Sequence, residues 1–201
     1  MLTRLSLKHA DTSRVAPFLI AGAMIIGLSA FLLPFIAVMV LQDMLYFSRD
    51  HWIFLRPTAA YIFFGAGMLW MAAVLLSALF TKMWADRKDR TYNLTTVHLL
   101  LFLLAGPFFV FSVMHYTYLD DSGAHTNPLF AAGETTVMWD DVTEVVREID
   151  PANNEILSYT FRDSEDAITL PFGQNSSELR GIVRNVVNGY ELEVTEVERE
   201  R

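Results

Sequence analysis

The chain has 201 residues, is 53% hydrophobic, carries a formal net charge of -8 and contains no cysteine, which excludes disulfides, thiolate zinc sites and cysteine nucleophiles. Its length leaves room for a membrane module and one small domain. Residues 1–117 hold nine Lys/Arg and five Asp/Glu, a net +4, while residues 118–201 hold six and eighteen, a net -12, which argues against nucleic acid as a partner of the C-terminal part.

A basic start, Arg4, Lys8 and Arg14, precedes an apolar run over residues 15–41. At about 27 residues it exceeds the ~7–15 of a secretory signal core, so it is read as a retained anchor. Residues 58–80 and 97–116 form two further apolar runs, each near or above the ~20 residues that cross a bilayer as a helix. None of the three runs contains Asp, Glu, Lys or Arg, which argues against an ion or proton path built on buried charge. Pro34 and the Gly106-Pro107 pair predict kinks, and the spacing of Ala23 and Gly27 permits close helix approach.

Arg4, Lys8 and Arg14 before the first run, with Lys82, Arg87, Lys88 and Arg90 after the second, outnumber Arg49 and Arg56 in the first loop. Positive flanks stay cytoplasmic, so the N-terminus is expected inside. After three crossings the C-terminal domain is then outside a bacterial cytoplasmic membrane. Tyr46, Trp52, Trp84 and Tyr116 are the expected interface anchors, the first two in an aromatic loop over residues 42–57. His98 and His115 are 17 residues apart in the third run, which predicts opposite membrane faces and no shared metal.

Beyond residue 117 the pattern changes to short strand-like segments. Strands are expected near 116–120, 125–130, 135–139, 143–149, 155–162 and 167–172. Turns fall at 121–123, 132–133, 151–154 and 163–166, rich in Gly, Pro, Asn and Asp. Leu179, Ile182, Val183, Val186 and Val187 then recur on one face of a helix, with Ser176 or Ser177 as N-cap and Gly189 as the stop. The organisation expected is a three-helix transmembrane module (1–117), an α+β soluble domain (118–188) and an acidic tail (189–201). The tail's apolar–acidic alternation favours an edge strand over a solvated extension.

The strand order with a terminal helix, and the stretches 118–123 (Tyr-Leu-Asp-Asp-Ser-Gly), 138–142 (Met-Trp-Asp-Asp-Val) and 161–172, resemble bacterial pleckstrin-homology-like domains attached to membrane spans. The resemblance covers about residues 116–188. It implies a small antiparallel half-barrel capped by the helix, serving binding or assembly and not catalysis. Six strands precede the helix where that fold has seven, and basic headgroup-binding loops have no counterpart, so phosphoinositide binding is not implied.

Trp139, Asp140 and Asp141 are the most distinctive residues of the domain and the candidate partner-binding set; Trp139 is expected to pack inward while the two aspartates begin a reversal. Asp120, Asp121, Asp140, Asp141 and Glu144 offer oxygen ligands for a cation only if their strands converge, and the EF-hand spacing is absent. No nucleophile elbow, zinc-protease helix or phosphate loop is present. The leading expectation is a non-enzymatic membrane protein, without cofactor, whose partners are the bilayer and a protein, a peptide or a second copy of itself. The alternatives are an accessory subunit of a transporter or channel, and an envelope hydrolase using the carboxylate cluster.

Overall fold

The computed structural model describes residues 11–131, 133–172 and 177–199. Arg4, Lys8, Ala132 and Ser176, which entered the charge, turn and capping expectations, lie outside the described residues. The chain divides into two compact units, Met1–Met44 with Thr58–Met114, and Leu45–Pro57 with His115–Arg201.

The first unit is built from α1 (Thr12–Ser29), α2 (Leu33–Tyr46), α3 (Thr58–Arg87), α4 (Thr95–Leu103) and α5 (Ala105–Met114). Three helical segments, Thr12–Ser29, Thr58–Arg87 and Thr95–Met114, are long and apolar enough to cross a membrane. Protein covers only 6%, 33% and 17% of their most apolar stretches. Phe18, Ile25, Leu28, Phe80 and Leu100 are left exposed, a surface suited to lipid.

The run at 15–41 is not one continuous helix. It breaks at Ala30–Leu32, where the Phe31 and Leu32 amides donate to the carbonyls of Leu28 and Ser29. Pro34 has no amide proton for the Ala30 carbonyl, and its ring excludes the straight path. Pro107 acts in the same way on Leu103, and α4 gives way to α5 at Leu104. The break at Ala30 is packed against α3: a Cβ on Gly65 would lie 3.1 Å from the Ala30 oxygen. Two residues on, and so on the opposite side of α3, a Cβ on Gly67 would lie 2.9 Å from Phe108 Cβ. Gly27 faces the Ala72 methyl across α1 and α3, with 3.8 Å to a virtual Cβ, and Ala23 is buried beside it.

Beyond residue 80, α3 continues to Arg87 and carries Lys82, whose buried side chain is paired with Asp86 at 2.6 Å. Thr12 also donates to Asp86. His98 is buried, with Nδ1 3.0 Å from the Tyr92 hydroxyl and Nε2 3.3 Å from Ser77 Oγ. It is therefore a packing histidine within the helical unit.

The second unit has two four-stranded sheets and one helix among the described residues. The first sheet runs β1 (Ile53–Leu55), β2 (Tyr116–Leu119), β3 (Gly123–Asn127), β4 (Thr135–Met138), antiparallel throughout. The second has the order β7 (Ala167–Pro171), β6 (Ile156–Arg162), β5 (Glu144–Ile149), β8 (Val194–Glu198), with β8 parallel to β5. A helix, α6 (Ser177–Gly189), lies between β7 and β8 in the chain. Its Leu179, Val183 and Val186 join Leu119, Val137, Trp139, Val145, Phe161, Ile168 and Leu170 in one core.

One strand was not among those expected, β1, supplied by the first loop; β8, after the helix, is the edge strand that the tail's alternation favoured. The third apolar run also ends earlier than residue 116. Helix α5 stops at Met114 and Tyr116 already belongs to β2, so a single residue, His115, makes the transition.

Candidate functional site

The distinctive Trp139 sits at the end of β4, where the chain tightens into a 3-10 turn over Trp139–Asp141 before β5. The side chain is 1% exposed, its Nε1 donates to the Asp120 carbonyl at 2.9 Å, and its ring meets Phe161 edge-on at 5.3 Å. It thus packs inward and presents almost no surface of its own. Asp140 and Asp141 are exposed in the turn.

Two aromatic residues close over this corner. Trp52 lies parallel to Trp139 with ring centroids 6.3 Å apart, and Tyr190 follows α6 with its ring 6.4 Å from Trp139. Trp52 is fixed twice: its amide donates to the Leu119 carbonyl at 2.8 Å, extending the β1–β2 ladder, and its Nε1 donates to Asp121 at 2.8 Å. Trp52, Ile182, Val186 and Tyr190 then bound a cavity of about 460 Å³, with Glu178 and Asn185 as its polar members. Glu178, Ile182 and Asn185 fall on one flank of α6, at the i, i+4, i+7 spacing of a helix face. Apolar walls with a few polar groups and one carboxylate suit the capture of a side chain from a partner.

Trp52, expected as an interface anchor, is a wall of this cavity. Tyr46, one of the last two residues of α2, which belong to the second unit, packs on Tyr116 at 4.3 Å. Trp84, on α3, is 53% exposed with the Lys88 ammonium 4.3 Å above its ring.

A second constellation, absent from the sequence reading, is built on β2, β3 and the segments that flank the strands of the first sheet. Tyr118 is sandwiched between His51 at 4.0 Å and His125 at 4.5 Å. Glu134 accepts from the hydroxyls of Tyr116 and Tyr118, both at 3.0 Å. Burial first, then the hydrogen bond to Glu134 and its charge, push the Tyr116 hydroxyl up to about 12 and raise Tyr118 as well. His125 places Nε2 3.1 Å from Ser122 Oγ and Nδ1 3.4 Å from Glu134. Hydroxyl, imidazole and carboxylate in that order outline a nucleophilic serine.

Asp120 opposes that reading. Its carboxylate takes the Ser122 hydroxyl at 2.7 Å and the Ser122 amide at 2.8 Å. Burial raises its pKa, but the hydrogen bonds from Ser122 and Gly123 and the nearby His125 outweigh it and hold the group below the ordinary carboxylate range. A fixed negative charge at Ser122 Oγ disfavours the oxyanion that acyl transfer must stabilise. The cluster therefore reads as a lock on the β2–β3 turn.

Three of the five carboxylates considered for a cation have separate tasks, and Asp140 and Asp141 are exposed in the turn. Asp120 holds the turn, Asp121 holds Trp52, and Glu144 pairs with Arg162 at 3.2 Å. Among the described residues no group of three or more His, Asp or Glu is placed to hold a metal. Comparisons with known protein families, curated proteins and solved structures find no match.

Proposed function

We propose that this chain is a membrane-anchored binding or assembly protein whose sheet unit, read as a pleckstrin-homology-like module, captures a protein or peptide partner outside the cytoplasmic membrane. The observation that carries the reading is the pairing of β1 with β2, Ile53↔Leu119 to Leu55↔Thr117. One strand comes from the loop before α3 and the other from the segment after α5. Both must lie on one side of the bilayer, which requires α3 and the α4–α5 segment to make an even number of crossings between them. The positive flanks of the helices favour the outside for that face. The cavity beside Trp52 supports capture of an apolar side chain, and Glu178 favours a basic neighbour to it.

Two measurements test the reading. Ser177→Cys in this cysteine-free chain should react with an impermeant thiol reagent on intact cells. Protection until lysis would place the sheet unit in the cytoplasm. In a peptide panel, sequences with one large apolar residue flanked by Lys should bind the purified full chain, and Trp52→Ala or Ile182→Glu should weaken them at least about tenfold. Equal binding of Glu-flanked peptides would end the assignment of the cavity.

A further inference from the structure

No Lys/Arg cluster is visible in the sequence after Arg90, yet the fold assembles one. All six cationic side chains of residues 118–201 are arginines. Arg162 and Arg199 are paired with Glu144 and Glu148, and Arg201 lies outside the described residues. The remaining three, Arg147, Arg180 and Arg184, line one groove of about 540 Å³ between α6 and the second sheet. It lies on the flank of α6 opposite the Trp52 cavity, since Ser177, Arg180, Arg184 and Asn188 share a helix face at i, i+3, i+7, i+11.

Three features set this groove apart from a solvated charged surface. First, Arg147 stands in the core-facing row of β5, between the buried Val145 and Ile149, where an apolar residue would complete the core. One guanidinium nitrogen, Nη2, pairs with Glu196 on β8, but Nε is buried with no hydrogen-bond partner among the described residues. A buried donor without a partner is costly unless something supplies an acceptor. Second, Arg180 and Arg184, one helical turn apart, are exposed and have no ion-pair partner among the described residues. Third, Gly181 lies between them in mid-helix, where glycine is unfavourable relative to alanine. A Cβ there would meet nothing within 4 Å, so packing does not demand the glycine, while any larger side chain would project into the groove.

We propose that this groove is a binding site for a phosphate monoester or diester group carried on an apolar body. Three guanidinium groups provide planar, forked donors matched to the oxygens of a phosphate, a geometry that single lysines do not reproduce. Tyr159, Ile156 and Val187 supply the apolar wall beside them. Glu196 is the nearby carboxylate that a bound phosphate must tolerate, and it leaves Nε of Arg147 and both helix arginines available. The site rests on reading the sheet unit as a binding module, but not on the Trp52 cavity or on the side of the membrane it faces.

The test uses the full chain in phosphate-free dodecyl maltoside micelles, titrated calorimetrically with inorganic phosphate. Saturable binding is expected, weakened at least about tenfold by Arg180→Gln combined with Arg184→Gln, both on exposed positions. Gly181→Leu should weaken it similarly while leaving the helix intact, and Glu196→Gln should tighten it. Repeating the titration in phosphatidylglycerol nanodiscs separates the sources: lost phosphate binding identifies a lipid headgroup as the occupant, and unchanged binding identifies a soluble ester. No binding in the phosphate-free micelles, or binding indifferent to the arginine and glycine variants, overturns the proposal. Neither result alters the peptide panel with Trp52→Ala, so failure of this site and failure of the partner reading are told apart.

Discussion

Tyr116 and Tyr118 share one carboxylate acceptor, Glu134, and both titrate above a free tyrosine. The folded state therefore favours their neutral forms. Stability from this pair is fully present below pH ~10, the ordinary tyrosine value, and is lost progressively as pH rises through the raised folded values. Spectrophotometric titration near 295 nm should find two tyrosines ionising late, and Glu134→Gln should bring both down. Asp120 has the opposite sign. Its folded pKa is depressed, so its contribution is present above the unfolded value of about 3.9 and is lost as pH falls through the lower folded value. Gly123 is a steric case: a Cβ would lie 2.4 Å from the Val137 carbonyl oxygen across the β3–β4 ladder. Gly123→Ala should cost roughly 1–3 kcal/mol, read as a lower denaturation midpoint, because backbone and not a flexible side chain must move.

Among the elements, those with a strong period could be read from the sequence. Leu179, Val183 and Val186 fix the buried stripe of α6, and the alternation of residues 156–162 and 167–171 fixes β6 and β7. The acidic–apolar alternation of the tail likewise marks β8. Strand β1 could not be read in this way. Its three residues, Ile53, Phe54 and Leu55, are all half-buried, so no alternation distinguishes a strand from an aromatic loop at a bilayer surface. Strand β3 begins two residues before the expected position and ends at Asn127, because Pro128 has no amide with which to continue the ladder. The candidate site was half visible. Trp139 could be singled out, but Trp52 is 87 residues away in the chain, and only the β1–β2 pairing brings the two indoles together. Removing residues 192–201 would take away β8 and leave Arg147 and Glu148 without their partners Glu196 and Arg199. The ion-pair loss is on the order of 1 kcal/mol because both pairs are partly exposed, but β5 becomes an open edge. The truncated chain should self-associate at concentrations where the full chain does not, as light scattering would show.

At the scale of the whole chain, α3 organises the helical unit. Gly65 and Gly67 let α3 approach the break at Ala30 on one side and the Phe108 region on the other. Gly67→Val should loosen the α3–α5 contact and lower the melting temperature in detergent, with a cost of about 1–3 kcal/mol. Gly106→Ala, where a Cβ meets nothing within 4 Å, should leave it unchanged or slightly higher.

The pairing of Ile53–Leu55 with residues 117–119 also has a consequence for assembly. During synthesis, the first strand emerges some sixty residues before its partner exists, so the sheet can be completed only after α3, α4 and α5 have been made. The finished sheet then acts as a clasp around everything between them. If the backbone were cut in the connection at residues 88–94, fragments 1–90 and 91–201 would still share that clasp and the α3–α5 contact. Co-expressed as separate chains, they should find each other in the membrane and purify as a noncovalent pair.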